Sequence, residues 1–365
     1  MPENKRTCLY DRHLALGAQM SPFGGCEMPI QYEGIVEEHQ AVRTACGVFD
    51  VSHMGEVNIS GRDAERYVNH IFTNDITGAP DGKIFYGMML NPEGGTVDDL
   101  LVYKRGENNF FLVINAANID KDVAWIRSNA EGYDVEIDDL CDVLGEIAIQ
   151  GPESEAVMQE VLGISCADLA FYTFREAMLD GEHILVSRTG YTGEDGFEVY
   201  APHDVIRHLW DELMESGRCA PCGLGCRDTL RFEVGLPLYG DELGEDISPI
   251  EASLGIFVKT DKDEFIGRDA VLRQKTEGAP RKLVGLEIHD RAIARHGCEV
   301  TTPGGEVIGT VTTGYRGISV DKSLAMALID SRYAAMGTEL AVKVRRKSFP
   351  ATVVAKKFYK KSYKK

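Results

Sequence analysis

The chain has 365 residues, 44% of them hydrophobic, and a formal charge of −19. That length suffices for two or three domains of roughly 100–200 residues each. The charge excludes a general nucleic-acid coat, because an anionic surface repels phosphate. In chain order, residues 34–46 carry Ile35, His39, Val42 and Cys46 near helical spacing, and Gly47 ends that segment. Residues 55–60 alternate like a strand, and residues 61–71 open a helix with Ala64, Tyr67, Val68 and Ile71 on one face. Strands are expected at 99–104 and 110–114, a helix at 118–128 and an apolar strand at 143–149. Gly151-Pro152 starts a further helix, with the proline in its first turn. Residues 183–187 and 197–200 read as paired strands around a glycine-rich turn, and Val205, Leu209 and Leu213 mark a helix after them. Short β-like runs at 283–288, 307–312, 325–329, 340–344 and 351–354 make the C-terminal hundred residues mostly β. The clearest boundary lies near 260–264 and 278–280.

The charge is uneven. From Ala341 to Lys365 there are ten Lys or Arg and no acid, so the last 25 residues carry +10 and the rest −29. The final run KKFYKKSYKK either binds something acidic or is a solvated tail. No stretch approaches the ~20 apolar residues of a membrane span, and the N-terminus carries no apolar signal core. Nine cysteines, an odd number in a long chain, fit reduced thiols in a cytoplasm better than a disulfide framework. P-loop and HExxH motifs are absent. Gly223-Leu-Gly225 begins a dinucleotide fingerprint, but Asp228 stands at its third glycine. Cys219, Cys222 and Cys226 either hold a metal or lie close by chance, and the usual paired CxxC spacing is missing. His203 and His208, five apart, do not share a helical face and read as surface residues.

Three clusters carry candidate chemistry. Asp98 and Asp99 follow a glycine turn and enter the apolar run Leu100–Tyr103. On a strand they point to opposite faces, so they are either turn caps or an acid entering a cleft. In Ser187-Arg-Thr-Gly-Tyr-Thr-Gly-Glu-Asp-Gly-Phe-Glu198, three glycines allow close approach of a ligand and Tyr191 offers a ring for stacking. There Glu198 either accepts paired N–H bonds from an amino-pyrimidine edge or is a solvated acid of a hairpin loop. Arg227 either clamps a carboxylate or carbonyl, or pairs with Asp228.

The phrases HLALGAQMSPFGGCEMPIQY, AVRTACGVFDVSHMGE, NPEGGTVDDLLVY, INAANIDKD, AIQGP, SRTGYTGEDGFE, GLGCRDTLRFEVGLPLYGDEL, SPIEASLG, FIGRDAV and RAIARHGCEV occur in this order. With them the chain resembles the aminomethyltransferase, or T-protein, family of the glycine cleavage system, nearly end to end. The resemblance implies a three-domain α+β cloverleaf around a central folate channel. Two antiparallel-sheet domains, residues 1–50 plus 140–260 and residues 51–139, would precede a distorted β-barrel or jelly roll at 275–365. It implies transfer of a one-carbon unit to tetrahydrofolate from the aminomethyl-dihydrolipoyl arm of H-protein, releasing ammonia, without a metal, nucleic acid or membrane. By resemblance Asp99 is the catalytic acid beside the folate N5, and Asp98 is its structural neighbour. Tyr86, Glu198, Tyr191, Arg227, Met54 and Asn115 would border the folate, and Arg295 and Tyr363 match ligand-adjacent positions. Departures are Cys26 for a usual Trp, Phe171 for a folate-contacting Tyr, and Thr312–Val320, which lacks the family's proline. Folate-dependent demethylases share the fold, as does a folate-binding iron–sulfur assembly factor. The factor's Lys-Gly-Cys-Tyr-x-Gly-Gln phrase is absent, and GYTGEDGFE stands in its place.

Overall fold

A computed structural model describes residues 4–179 and 181–360. Tyr363 and the last lysines lie outside the described residues. A six-stranded sheet runs in the order Phe174–Leu179, Glu182–Ser187, Gly196–Pro202, Leu144–Gln150, Gly47–Asp50, Ala220–Cys222. Its pairings are antiparallel except at the last edge, where Ala220–Cys222 runs parallel to Gly47–Asp50. The N-terminal segment thus shares a sheet with the chain beyond residue 140. One face buries Ile147, Ile149, Phe197 and Val199 against Leu209, Trp210 and Leu213 of the helix His203–Ser216.

A five-stranded sheet follows the order Ile84–Leu90, Thr96–Gly106, Asn109–Ile114, Gly55–Ser60, Glu136–Asp139. The apolar stripe Ala64, Tyr67, Val68 and Ile71 of the helix Ala64–Ile71 is fully packed into its core, as the spacing predicts. The opposite faces of the two sheets meet through Tyr103, Phe111, Leu185 and Tyr200. There the hydroxyls of Tyr103 and Tyr200 lie 2.9 Å apart. The strands Arg281–Ile288, Ser323–Asp330, Val307–Arg316, Glu299–Thr301, Glu339–Val344 and Lys347–Val354 close into a barrel. Among the described residues, no helix is long and apolar enough to cross a membrane.

The structure departs from the sequence reading in places. The helix expected at Pro152 starts at Ser154 and ends at Glu160. The strands Gln19–Phe23 and Cys26–Gln31 form an unexpected hairpin, closed by Gly24 and Gly25 at φ 54° and 81°. A Gly-Gly pair between strands is a hairpin signal, because both positions favour positive φ. A Cβ on Gly24 would lie 2.6 Å from the Cβ of Ala116, so no side chain fits where the hairpin touches the second sheet.

The Thr312–Val320 segment docks onto the first part of the chain despite its missing proline. Thr312 and Thr313 donate to Glu242, Tyr315 donates to Asp228, and Ser319 lies 2.9 Å from the His39 ring. The C-terminal run is also attached as far as it is described. Lys356 donates from Nζ to the Ala252 carbonyl at 2.8 Å, and burial lowers its pKa to about 8. Phe358 packs on Phe232, and Tyr359 donates from its backbone to Glu233 beneath the Arg43 guanidinium. Residues 356–360 are therefore a strap on the helix Leu224–Glu233. Removing 356–365 is expected to lower the melting temperature. Removing 361–365 is expected to raise the KM for an acidic partner, more so at low salt. Thermal melts and a salt series of KM check both, and an unchanged KM would make the outer lysines a solvated tail.

Candidate active site

Strand alternation builds a cavity between the two sheets. Glu198 and Tyr200 share one face of their strand; Glu146 is the register partner of Tyr200, and Ser187 of Glu198. Across the gap, Tyr86, Asp99 and Leu101 share the inner face of the second sheet. Asp99, Met54, Tyr86, Asn115, Tyr191, Glu198 and Arg227 all line the same cavity. Gly235–Tyr239 and Phe257 complete the wall. Asp98 is fully buried on the other face of the strand, as the alternation requires.

Asp99 accepts from the Tyr86 hydroxyl at 2.9 Å and from Asn115 Nδ2 at 3.0 Å. The same Nδ2 reaches Asp98 Oδ1 at 2.9 Å, so one amide ties the two acids together. Burial, and then the charge of Asp98, raise the Asp99 carboxyl to about 7. Burial also raises Glu198, opposed by the Thr189 hydroxyl, which donates to it, and by Arg227.

Arg227 does not pair with Asp228. Asp228 accepts from Arg231 and Tyr315 instead. The Arg227 guanidinium stacks at 4.8 Å on the Tyr191 ring, and its Nη1 is buried without a partner. Tyr191 donates its hydroxyl to the Pro237 carbonyl, which fixes the loop forming the cavity wall.

Two cavity groups escaped the sequence reading. His53 has an unpartnered Nδ1, and burial, then the Arg227 charge, lower it to about 4, so it is neutral at pH 7. Glu146 has an unpartnered Oε2, and burial followed by the charge of Glu198 raises it well above the carboxylate range. With Arg227 Nη1 they leave a donor, an acceptor and a carboxyl facing a largely apolar space, which suits a flat, polar-edged heterocycle. The available signal for Glu146 was an acid inside the apolar strand LGEIAIQ. Tyr172, rather than Phe171, lines the cavity.

Some expected groupings are not made. Arg295 does not line the cavity; it donates to the Gly314 carbonyl at 3.1 Å and sits over the Tyr315 ring. Of the glycines of GYTGEDG, Gly190 lines the cavity, and a Cβ at Gly190 or Gly196 would strike the Gln150 amide, at 2.0 and 2.3 Å. The three neighbouring thiols separate. Cys219 Sγ faces Cys46 Sγ at 2.9 Å, while Cys222 and Cys226 lie with Glu38 within 4.8 Å. Both Glu38 oxygens already accept backbone N–H groups, from Tyr32 and Gly223, and burial keeps the Cys222 and Cys226 thiols protonated.

Comparison with known proteins agrees with this geometry. Residues 9–262 match the GCVT N-terminal domain family, and residues 281–360 match the glycine cleavage T-protein C-terminal barrel domain. The aminomethyltransferase of Alkaliphilus oremlandii is 49% identical over 369 residues, covering 100% of both chains. That of Caldanaerobacter subterraneus is 49% identical, covering 99% of this chain and 97% of its own. The glycine cleavage system aminomethyltransferase T from Bartonella henselae superimposes with a TM-score of 0.95 at 33% identity, covering 100% of each chain. The chain therefore belongs to the glycine cleavage T-protein family and is an enzyme of the aminomethyltransferase type.

Proposed function

We propose that the enzyme moves the methylene carbon of an aminomethyl group, held on the dihydrolipoyl arm of H-protein, to tetrahydrofolate. The products are 5,10-methylenetetrahydrofolate, ammonia and the reduced arm, and the reaction belongs to glycine catabolism in the cytoplasm. The observation that carries the reading is the Asp99 carboxyl, raised to about 7 inside a cavity whose opposite wall presents Glu198 and Arg227.

Glu198 is the acceptor for the amino edge of the pterin, and Arg227 Nη1 is a free donor for its carbonyl. Tyr191 and Tyr86 border the ring, with Met54 on the apolar wall. The reaction breaks the carbon–nitrogen bond to ammonia and the carbon–sulfur bond to the arm, and forms bonds to N5 and N10. Positive charge develops on the carbon between sulfur and nitrogen. An ionised Asp99 beside it stabilises that charge and takes the N5 proton, while Asn115 and Tyr86 hold its orientation. The rest is placement of two reactants in one cavity.

The division into residues 1–50 plus 140–260, 51–139 and 275–365 is supported by the pairing of Gly47–Asp50 with Leu144–Gln150 and by the separate closure of the barrel strands. Glu198→Ala is expected to weaken tetrahydrofolate binding about 10–100-fold, the worth of hydrogen bonds to a charged acceptor, with a smaller change in kcat. Calorimetric titration measures it, and an unchanged Kd would remove Glu198 from the pterin edge.

A further inference from the structure

Behind Asp99 lies a third acid that the proposed mechanism does not use. Asp122 stands in the first turn of the helix Ile119–Ser128 and is 0% exposed. Neither of its oxygens meets an N–H or O–H donor, and Lys121 Nζ stays 3.9 Å away. The group facing it is the carboxyl of Asp98.

Asp98 already accepts three N–H bonds: from Asn115 N at 2.9 Å, Asn115 Nδ2 at 2.9 Å and Asn118 Nδ2 at 2.6 Å. Asp98 therefore serves as the acceptor of the pair. Two buried carboxyls in contact are satisfied only when one proton lies between them. Burial, and next the Asp98 charge, hold the Asp122 proton up to about 11.

We infer that Asp122 is a positioning residue, whose carboxyl O–H donates to Asp98 so that Asp98 fixes the Asn115 amide that holds Asp99. This rests on the proposed role of Asp99 in transfer to tetrahydrofolate. The charged and titratable groups around Asp122 include Asp98 and Asp99 on the strand Thr96–Gly106, Lys121 on its own helix, and Tyr239 from the cavity wall. Lys121 in turn meets Tyr239 of the cavity wall and, at 4.0 Å, Glu245 beyond it. None of them supplies a donor to Asp122.

The test compares Asp122→Leu, which removes the donor, with Asp122→Asn, whose amide keeps one. Asp122→Leu is expected to lower kcat about tenfold or more, as displaced catalytic groups do, with the tetrahydrofolate KM within about twofold and the acid limb of the pH profile displaced. Asp122→Asn should recover most of the rate and the original profile. Equal loss in both variants, or loss in neither, overturns the inference. A substrate-free measurement separates this from the reading of function. Carbon-13 carboxyl NMR of the whole chain, with Asp122 assigned through Asp122→Asn, should show it still protonated at pH 8. Titration of Asp122 with the ordinary carboxylates overturns the inference whatever the turnover. Absent turnover in the wild type, with Asp122 protonated, overturns the function alone.

Discussion

Asp99→Asn is expected to lower kcat by about 100-fold or more, within the range that a positioned acid–base group supplies, while the protein stays folded. The substitution keeps the shape at Tyr86 and Asn115 and exchanges one carboxylate oxygen for an amide NH2, from which the Tyr86 hydroxyl can accept. In the wild type the same carboxyl sets the pH dependence. Asp99 works ionised and titrates near 7, so kcat rises with pH up to about 7 and then levels. The variant loses that limb. Stability moves the other way. A carboxyl whose folded value lies above its unfolded value of about 3.9 makes the fold less stable as pH rises from about 4 to about 7. At pH 8 the variant should therefore melt no lower than the wild type. Near-normal turnover, or a retained limb near pH 7, would remove Asp99 from the chemistry.

Glu242→Ala is expected to cost about 1–3 kcal/mol of folding free energy, because buried donors of Arg231, Thr312 and Thr313 lose their acceptor while Asp228 still pairs with Arg231. Arg231 and Glu242 are both 0% exposed and 2.8 Å apart. Glu242 also accepts from Leu238 N, Thr312 and Thr313, and Arg231 donates to the Leu236 carbonyl. This one pair fixes the Gly235–Tyr239 cavity wall and fastens the barrel strand Val307–Arg316 to the first part of the chain. Urea unfolding, with Glu245→Ala at an exposed neighbour as control, measures the cost. A loss under about 1 kcal/mol, the scale of ordinary surface changes, would show that the junction is held by other contacts.

The sequence carried the site better than the scaffold. Asp99 and Glu198 stood in phrases whose neighbours have fixed roles, so their meeting in one cavity followed once strand alternation was respected. Single-element periodicity was equally legible, as in Ala64, Tyr67, Val68 and Ile71. Pairing order was not legible from local pattern; that residues 1–50 join the chain beyond 140 came only through the resemblance, because the contact of Gly47–Asp50 with Leu144–Gln150 spans about a hundred residues. Glu146 was hidden for another reason. Its strand is buried on both faces, so no alternation marks the side on which the acid sits. The packing role of Gly190 and Gly196 was not legible, since a glycine that lines a cavity and one that admits Gln150 look alike in sequence.

The most direct measurement is a single-turnover assay with aminomethyl-loaded H-protein and tetrahydrofolate, following ammonia and 5,10-methylenetetrahydrofolate, with a bare methyl donor as control. Equal amounts of both products are expected from loaded H-protein and none from the methyl donor. No product from loaded H-protein, or one-carbon transfer from the methyl donor instead, would contradict the proposed function.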